Sequence, residues 1–162
     1  MKKITLLLLI TLLSTQTIVA KEKFTFIGVS VSQKNIEFKT LDDEKEAAVG
    51  LLFGMQNKGY RVTLKAEKDF TSLNEYSIQS DLLLNTVKVE KMLFKPYVGV
   101  SLGGIKHDKN DQYNSMYGLH FGALINIDDN FDVDLSYNMK DKRDSSTLRK
   151  YRGLTLALHY YF

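Results

Sequence analysis

The chain has 162 residues, 44% hydrophobic and 25% charged, with a formal net charge of +3. That length suits one domain, and 22 Lys and Arg against 19 Asp and Glu give no electrostatic basis for nucleic-acid binding. The absence of cysteine excludes disulfides, thiolate metal sites, a cysteine nucleophile and a lipidated cysteine behind a leader.

Met1–Ala20 opens with Lys2 and Lys3, continues as the apolar run Ile4–Leu13, and closes on Ile18, Val19 and Ala20. A charged start, a short apolar centre and a small residue at the cut are the build of a secretory signal peptide. Residues 1–20 are therefore expected to be removed, leaving 21–162 as the mature domain. Loss of the two lysines brings the charge from +3 to near +1. No other apolar run approaches the ~20 residues of a membrane helix.

The rest of the chain alternates with period two, the mark of strands with two unlike faces. Strand one is predicted over Lys23–Ser32, with Thr25, Ile27, Val29 and Val31 opposed to Phe26, Gly28, Ser30 and Ser32. A polar loop follows over Gln33–Glu46. Strand two, Ala47–Gln56, sets Val49, Leu51, Phe53 and Met55 against Ala48, Gly50, Leu52 and Gly54. Asn57-Lys58-Gly59 reads as a tight turn, since Asn and Gly accept positive φ. Strand three, Tyr60–Glu67, alternates Tyr60, Val62, Leu64 and Ala66 with Arg61, Thr63, Lys65 and Glu67.

After a polar loop over Lys68–Glu75, strand four carries Tyr76, Ile78, Leu82 and Leu84 on one face, with Ser77, Gln79, Asp81 and Leu83 on the other. A turn is predicted near Lys88–Lys91. Strand five, Phe94–Gly104, sets Val98, Val100 and Leu102 against Tyr97, Gly99, Ser101 and Gly103. Pro96 is tolerated near its start because little pairing is lost there. Beyond a polar loop over Ile105–Ser115, strand six (Met116–Ile127) opposes Tyr117, Leu119 and Phe121 to Gly118, His120 and Gly122. Asp128-Asp129-Asn130 turns the chain. Strand seven sets Phe131, Val133, Leu135, Tyr137 and Met139 against Asp132, Asp134, Ser136 and Asn138. A charged loop over Lys140–Lys150 leads to strand eight, Arg152–Phe162, where Leu154, Leu156, Leu158, Tyr160 and Phe162 share a face.

Three features favour a barrel in lipid over a soluble β-domain. Loops after the odd strands are longer and polar, while those after strands two and six are tight turns. One face is aliphatic and the other carries charges and glycines, whereas a soluble sandwich or lipocalin exposes its charges. Aromatics, among them Tyr60, Tyr76, Phe94, Tyr117, Phe131 and Tyr160, stand near the ends of the apolar stripes, as in interfacial girdles. The expected fold is an all-β, eight-stranded antiparallel up-and-down transmembrane barrel.

The segments Lys95–Gly104 (KPYVGVSLGG), Tyr117–Tyr137 (YGLHFGALINIDDNFDVDLSY) and the closing LHYYF resemble the small OmpA-like and OmpX-like "porin family" barrels of Gram-negative bacteria. The resemblance implies the bacterial outer membrane as location, and contact with its lipid and lipopolysaccharide. It also implies delivery by periplasmic chaperones and a monomeric barrel. The Tyr160-x-Phe162 ending would be the signal read by the barrel assembly machinery. It does not imply a pore.

An eight-stranded barrel is filled by side chains, so inward charges must be paired or hydrated. Arg61, Lys65, Glu67, Asp81, His120, Asp132, Asp134 and Arg152 are expected to form a structural polar network in the lumen. Asp81 is placed to meet Arg61 and Lys65. Asp132 and Asp134 are placed to meet Arg152 or His120. His107 with Asp108 and Asp111 reads as a solvated loop rather than a metal site, and no serine stands near a histidine in the way a lipid A deacylase needs. The sequence thus gives no catalytic residue, metal or cofactor. It points to a non-enzymatic outer-membrane protein with a structural or surface-contact role, through its loops toward a surface or host ligand. The alternatives are a small ion or solute channel and a soluble, lipocalin-like barrel with an apolar ligand.

Overall fold

The alternation in sequence becomes an alternation in space. In the last strand Leu154, Leu156, Leu158 and Tyr160 stand exposed, while Thr155, Ala157, His159 and Tyr161 between them are buried. The computed structural model describes residues 24–38, 44–70, 73–90, 92–107, 113–142 and 148–162. The leader expected over residues 1–20 lies outside them, as do Asp108 and Asp111.

The strands are β1 (Phe24–Phe38), β2 (Glu44–Gln56), β3 (Tyr60–Asp69), β4 (Leu73–Leu83), β5 (Val87–Val89), β6 (Met92–His107), β7 (Tyr113–Asn126), β8 (Phe131–Lys142) and β9 (Leu148–Tyr161). They form one antiparallel sheet in the order β4-β3-β2-β1-β9-β8-β7-β6, and a β4–β6 pairing joins its two edges. The result is a closed ring of eight strands with no open edge. The short β5 is outside the ring and pairs only with the start of β6. First and last strands lie side by side, with the Phe162 amide donating to the Thr25 carbonyl at 3.0 Å.

The outer surface is apolar. Ile27, Val29, Val31, Leu51, Ile78, Val100, Leu102, Leu119, Leu154 and Leu156 are all half or more exposed, Leu51 at 67%. Water would not tolerate so continuous an apolar surface. A soluble lipocalin-like barrel puts its apolar side chains inside, and the ionised interior described below is the reverse of that.

The structure departs from the sequence reading at the connections. Most of the residues read as long loops continue the ladder. β1 runs on to Phe38 and β2 starts at Glu44, so most of the predicted loop Gln33–Glu46 is paired strand. The predicted loops Lys68–Glu75, Ile105–Ser115 and Lys140–Lys150 shorten in the same way. Backbone hydrogen bonds hold a ladder whatever the side chains are, so loss of the apolar stripe marks the edge of the lipid band and not the end of the strand. On β9 that band is the nine residues Leu154–Phe162, within the roughly 9–11 residues of a tilted membrane strand.

At the opposite end the turns are tight. Asn57 closes its turn with N–H to the Tyr60 carbonyl (2.8 Å) and accepts the Gly59 amide on Oδ1 (2.9 Å). The side-chain hydrogen bond makes this turn, and no glycine takes a positive φ. The turn predicted near Lys88–Lys91 falls between β5 and β6, where Val89 pairs with Met92 and Glu90 has φ 54°, Lys91 itself lying outside the described residues.

Candidate functional site

Among the described residues the lumen is densely charged, and its side chains follow from strand parity. On β3, Arg61, Lys65 and Glu67 share the inward face because they differ by even numbers. Asp81 on β4, His120 on β7, and Asp132 and Asp134 on β8 point inward by the same rule. All are buried.

Arg61 organises the half nearer the tight turns. Its Nε donates to Asp81 Oδ2 at 2.7 Å, and Nη1 donates to Asp134 Oδ2 at 2.7 Å. Asp81 also takes the His120 imidazole through Nε2. Tyr97 donates its hydroxyl to Asp134 Oδ1 at 2.6 Å, and its ring lies 4.4 Å from the Arg61 guanidinium. His159 stacks on Phe26 with ring centroids 4.5 Å apart, its Nε2 4.0 Å from Asp134. Gly99 opens the space for the Asp81–His120 contact, since a Cβ there would lie against Asp81 and 2.6 Å from His120 Nε2.

A second cluster occupies the far half. Glu75 on β4 receives Lys34 of β1 (3.1 Å) and Lys140 of β8. Glu67 takes Lys34 at 2.9 Å and Lys65 at 3.2 Å. The Lys34 and Lys140 ammonium groups also lie 5.1 and 5.4 Å from the Tyr151 ring centroid. Between the clusters is a layer of smaller polar groups, where Ser32 and Thr155 hydroxyls meet at 2.8 Å and Asn138 donates to Thr155 at 3.1 Å. Phe26, Leu52, Ala157 and Tyr161 pack below, toward the tight turns, beside Leu83, Tyr97 and Leu124.

Among the described buried residues there are four cations (Lys34, Arg61, Lys65, Lys140) and six carboxylates (Glu67, Asp69, Glu75, Asp81, Asp132, Asp134). Every one of the four cations has a carboxylate within 4.0 Å. Asp69 and Asp132 stand toward the two mouths. Asp132 accepts from Asn126 Nδ2 at 3.1 Å rather than from a cation of the central network.

Arg152 is a correction. It has the parity of Leu154, not of Thr155, so it projects outward from β9 and is exposed. The place opposite Asp134 that was expected for it belongs to Arg61. Conversely, Lys34, Glu75, Lys140 and Tyr151 lie in stretches that the sequence predicts as loops or loop edges, yet all four are buried and point inward. Continuing the inward series Ser30, Ser32, Lys34 or Ser136, Asn138, Lys140 by twos would have found them.

Tyr160 and Phe162 face outward at the tight-turn end, with rings 6.4 Å apart and Tyr160 5.1 Å from Phe131. Among the described residues no group of His, Cys, Asp and Glu is arranged to hold a metal ion.

No protein-family model matches the chain, and no curated protein matches its sequence. In three dimensions it is similar to Neisserial surface protein A, with a TM-score of 0.59 at 11% identity, covering 85% of this chain and 97% of that one. It is also similar to a de novo designed transmembrane β-barrel (TM-score 0.52, 15% identity, 86% and 95% covered). A third is Ail, the attachment invasion locus protein of Yersinia pestis, in complex with the heparin analogue sucrose octasulfate (TM-score 0.50, 13% identity, 87% and 99% covered). The chain has the fold of the small eight-stranded outer-membrane β-barrels. At these identities the likeness speaks for the fold alone.

Proposed function

We propose that this protein resides in the bacterial outer membrane as a closed, non-enzymatic barrel that anchors polar hairpin ends at the cell surface. The observation that carries the reading is the inverted distribution of side chains, aliphatic residues outside and ion pairs inside. Lipid is the solvent that suits such a surface. The tight turns and both described chain ends lie at one end, assigned here to the periplasm. The hairpins that continue past the apolar band rise at the other. The ion pairs that cross the lumen support a structural core over a channel. The names of the similar proteins, one a surface protein and one of attachment and invasion, support a contact role.

The test is reconstitution. Refolded into phospholipid vesicles, the chain should resist added protease except at its hairpin ends and migrate differently on gels before and after boiling. In planar bilayers it should show no steady conductance. A chain that stays soluble and monomeric without detergent would overturn the membrane reading, and stable channel openings would overturn the closed core.

A further inference from the structure

Asp132 stands apart from the ion pairs of the lumen. It is buried on β8 near the tight-turn mouth and accepts from Asn126 Nδ2 at 3.1 Å. On the far side of β7, Lys95 of β6 also points inward and is half-buried. The two charges attract each other, and Lys58 in the nearby turn repels Lys95. Among the described residues, however, no ion pair within 4.0 Å joins Lys95 to Asp132.

Both side chains line a bowl of about 260 Å³ in this mouth, together with Asp129, Phe24, Leu93 and Leu124. The bowl ends blind, because Phe26, Leu52 and Ala157 with Leu83 and Tyr97 close the lumen behind it. Its charges are divided between its sides, a cation on the β6 wall and two carboxylates on β8 and the turn before it. β6 and β8 are two strand spacings apart, about 10 Å between backbones. A small apolar hollow with a few placed charges is the build of a ligand site.

From this we infer that the bowl binds a dipeptide as its zwitterion, with the ammonium on Asp132 and Asp129, the carboxylate on Lys95, and an apolar side chain on Phe24, Leu93 and Leu124. A simple anion would satisfy Lys95 and add to the repulsion at two carboxylates, and a simple cation would do the reverse. A zwitterion answers both signs. A single amino acid carries its two charges on one Cα. A dipeptide inserts a further Cα step of about 3.8 Å, which suits charges held on separate strands. The inference concerns the mouth alone and holds whichever way the barrel faces in the membrane.

The experiment uses the full barrel, refolded in detergent micelles and titrated with alanyl-leucine by isothermal calorimetry. Alanyl-leucine should bind about tenfold more tightly than N-acetyl-alanyl-leucine, alanyl-leucinamide or free leucine. Asp132→Asn should narrow the gap between the free and the acetylated peptide and keep the gap to the amide. Lys95→Gln should do the converse. Both variants should keep the gel shift on boiling that marks a folded barrel, and the four-compound comparison on the parent barrel decides the matter even if one does not. Equal binding of all four compounds, or no binding of any up to about 10 mM, would overturn the site. Free leucine binding as tightly as the dipeptide would overturn the span between the two charges. Folded variants in which both gaps close together would overturn the assignment of ammonium to Asp132 and carboxylate to Lys95.

Discussion

Arg61 on β3 and Asp134 on β8 meet at 2.7 Å across the full width of the barrel. In a ring of eight, β3 and β8 are four strands apart in either direction, so this bond is a diameter. The same guanidinium holds Asp81 on the wall beside it at 2.7 Å. One side chain therefore ties three strands. Its shape permits this, because a planar fork presents donors in several directions where an ammonium offers a point charge.

Removing that fork is predicted to be costly. Arg61→Ala leaves two buried carboxylates without their cation, a change worth about 3–5 kcal/mol in comparable buried pairs. Arg61→Lys should recover only part of the loss. Urea unfolding of the barrel in vesicles checks both. An Arg61→Ala midpoint equal to that of the parent would mean that the two carboxylates do not depend on Arg61.

Glu75 joins β4 to β1 and β8 through Lys34 and Lys140. Its two lysines would repel each other without it, so Glu75→Gln should destabilise more than Lys140→Gln. The double variant should cost less than the sum of the two. A coupling of about 1–3 kcal/mol between Glu75 and Lys140 is expected from a double-mutant cycle. Strict additivity would show that the contact carries no energy.

How far the sequence could be read follows from these two clusters. Where one face of a strand is apolar, period two assigns each inward residue to its face without knowledge of its partners, and the extent of the lipid band follows from it. Arg61, Asp81, His120 and Asp134 were legible for that reason. The second cluster was not, because Lys34, Glu75 and Lys140 lie in polar stretches where both faces are hydrophilic and the alternation has no contrast. Arg152 was misplaced for a related cause: at the lipid border an outward cation and an inward one look alike. Which carboxylate meets which cation across a diameter depends on tilt and register, and neighbouring strands alone do not give it.

The glycines supply a contrast within one protein. At Gly99 an added Cβ would lie 2.6 Å from His120 Nε2 and 2.7 Å from the Ser80 carbonyl, besides meeting Asp81. At Gly59 it would meet nothing within 4 Å, and φ there is not positive. Gly99→Ala should therefore destabilise by about 1–3 kcal/mol through overpacking. Gly59→Ala should be neutral or stabilise by about 0.4–1 kcal/mol, since it restricts the unfolded chain. Denaturant midpoints of the two variants should move apart. If both fall equally, the packing around Gly99 is not what sets its size.

The direction in which the leucines face can be tested with one charge at two depths. Leu158 is at the middle of the band that runs from Leu154 to Phe162, between Val29 and Val133 on the neighbouring strands. An arginine at the bilayer midplane of such a barrel costs about 2–4 kcal/mol, falling to about 0–1 near the interface. Leu158→Arg should accordingly lower the folding free energy in vesicles by that larger amount. Leu154→Arg, one step below the native Arg152, should cost distinctly less. Folding in vesicles of graded thickness sharpens the comparison, because a thinner bilayer brings residue 154 nearer the surface and should reduce its penalty first. If both substitutions are tolerated alike at every thickness, this face of β9 does not meet lipid.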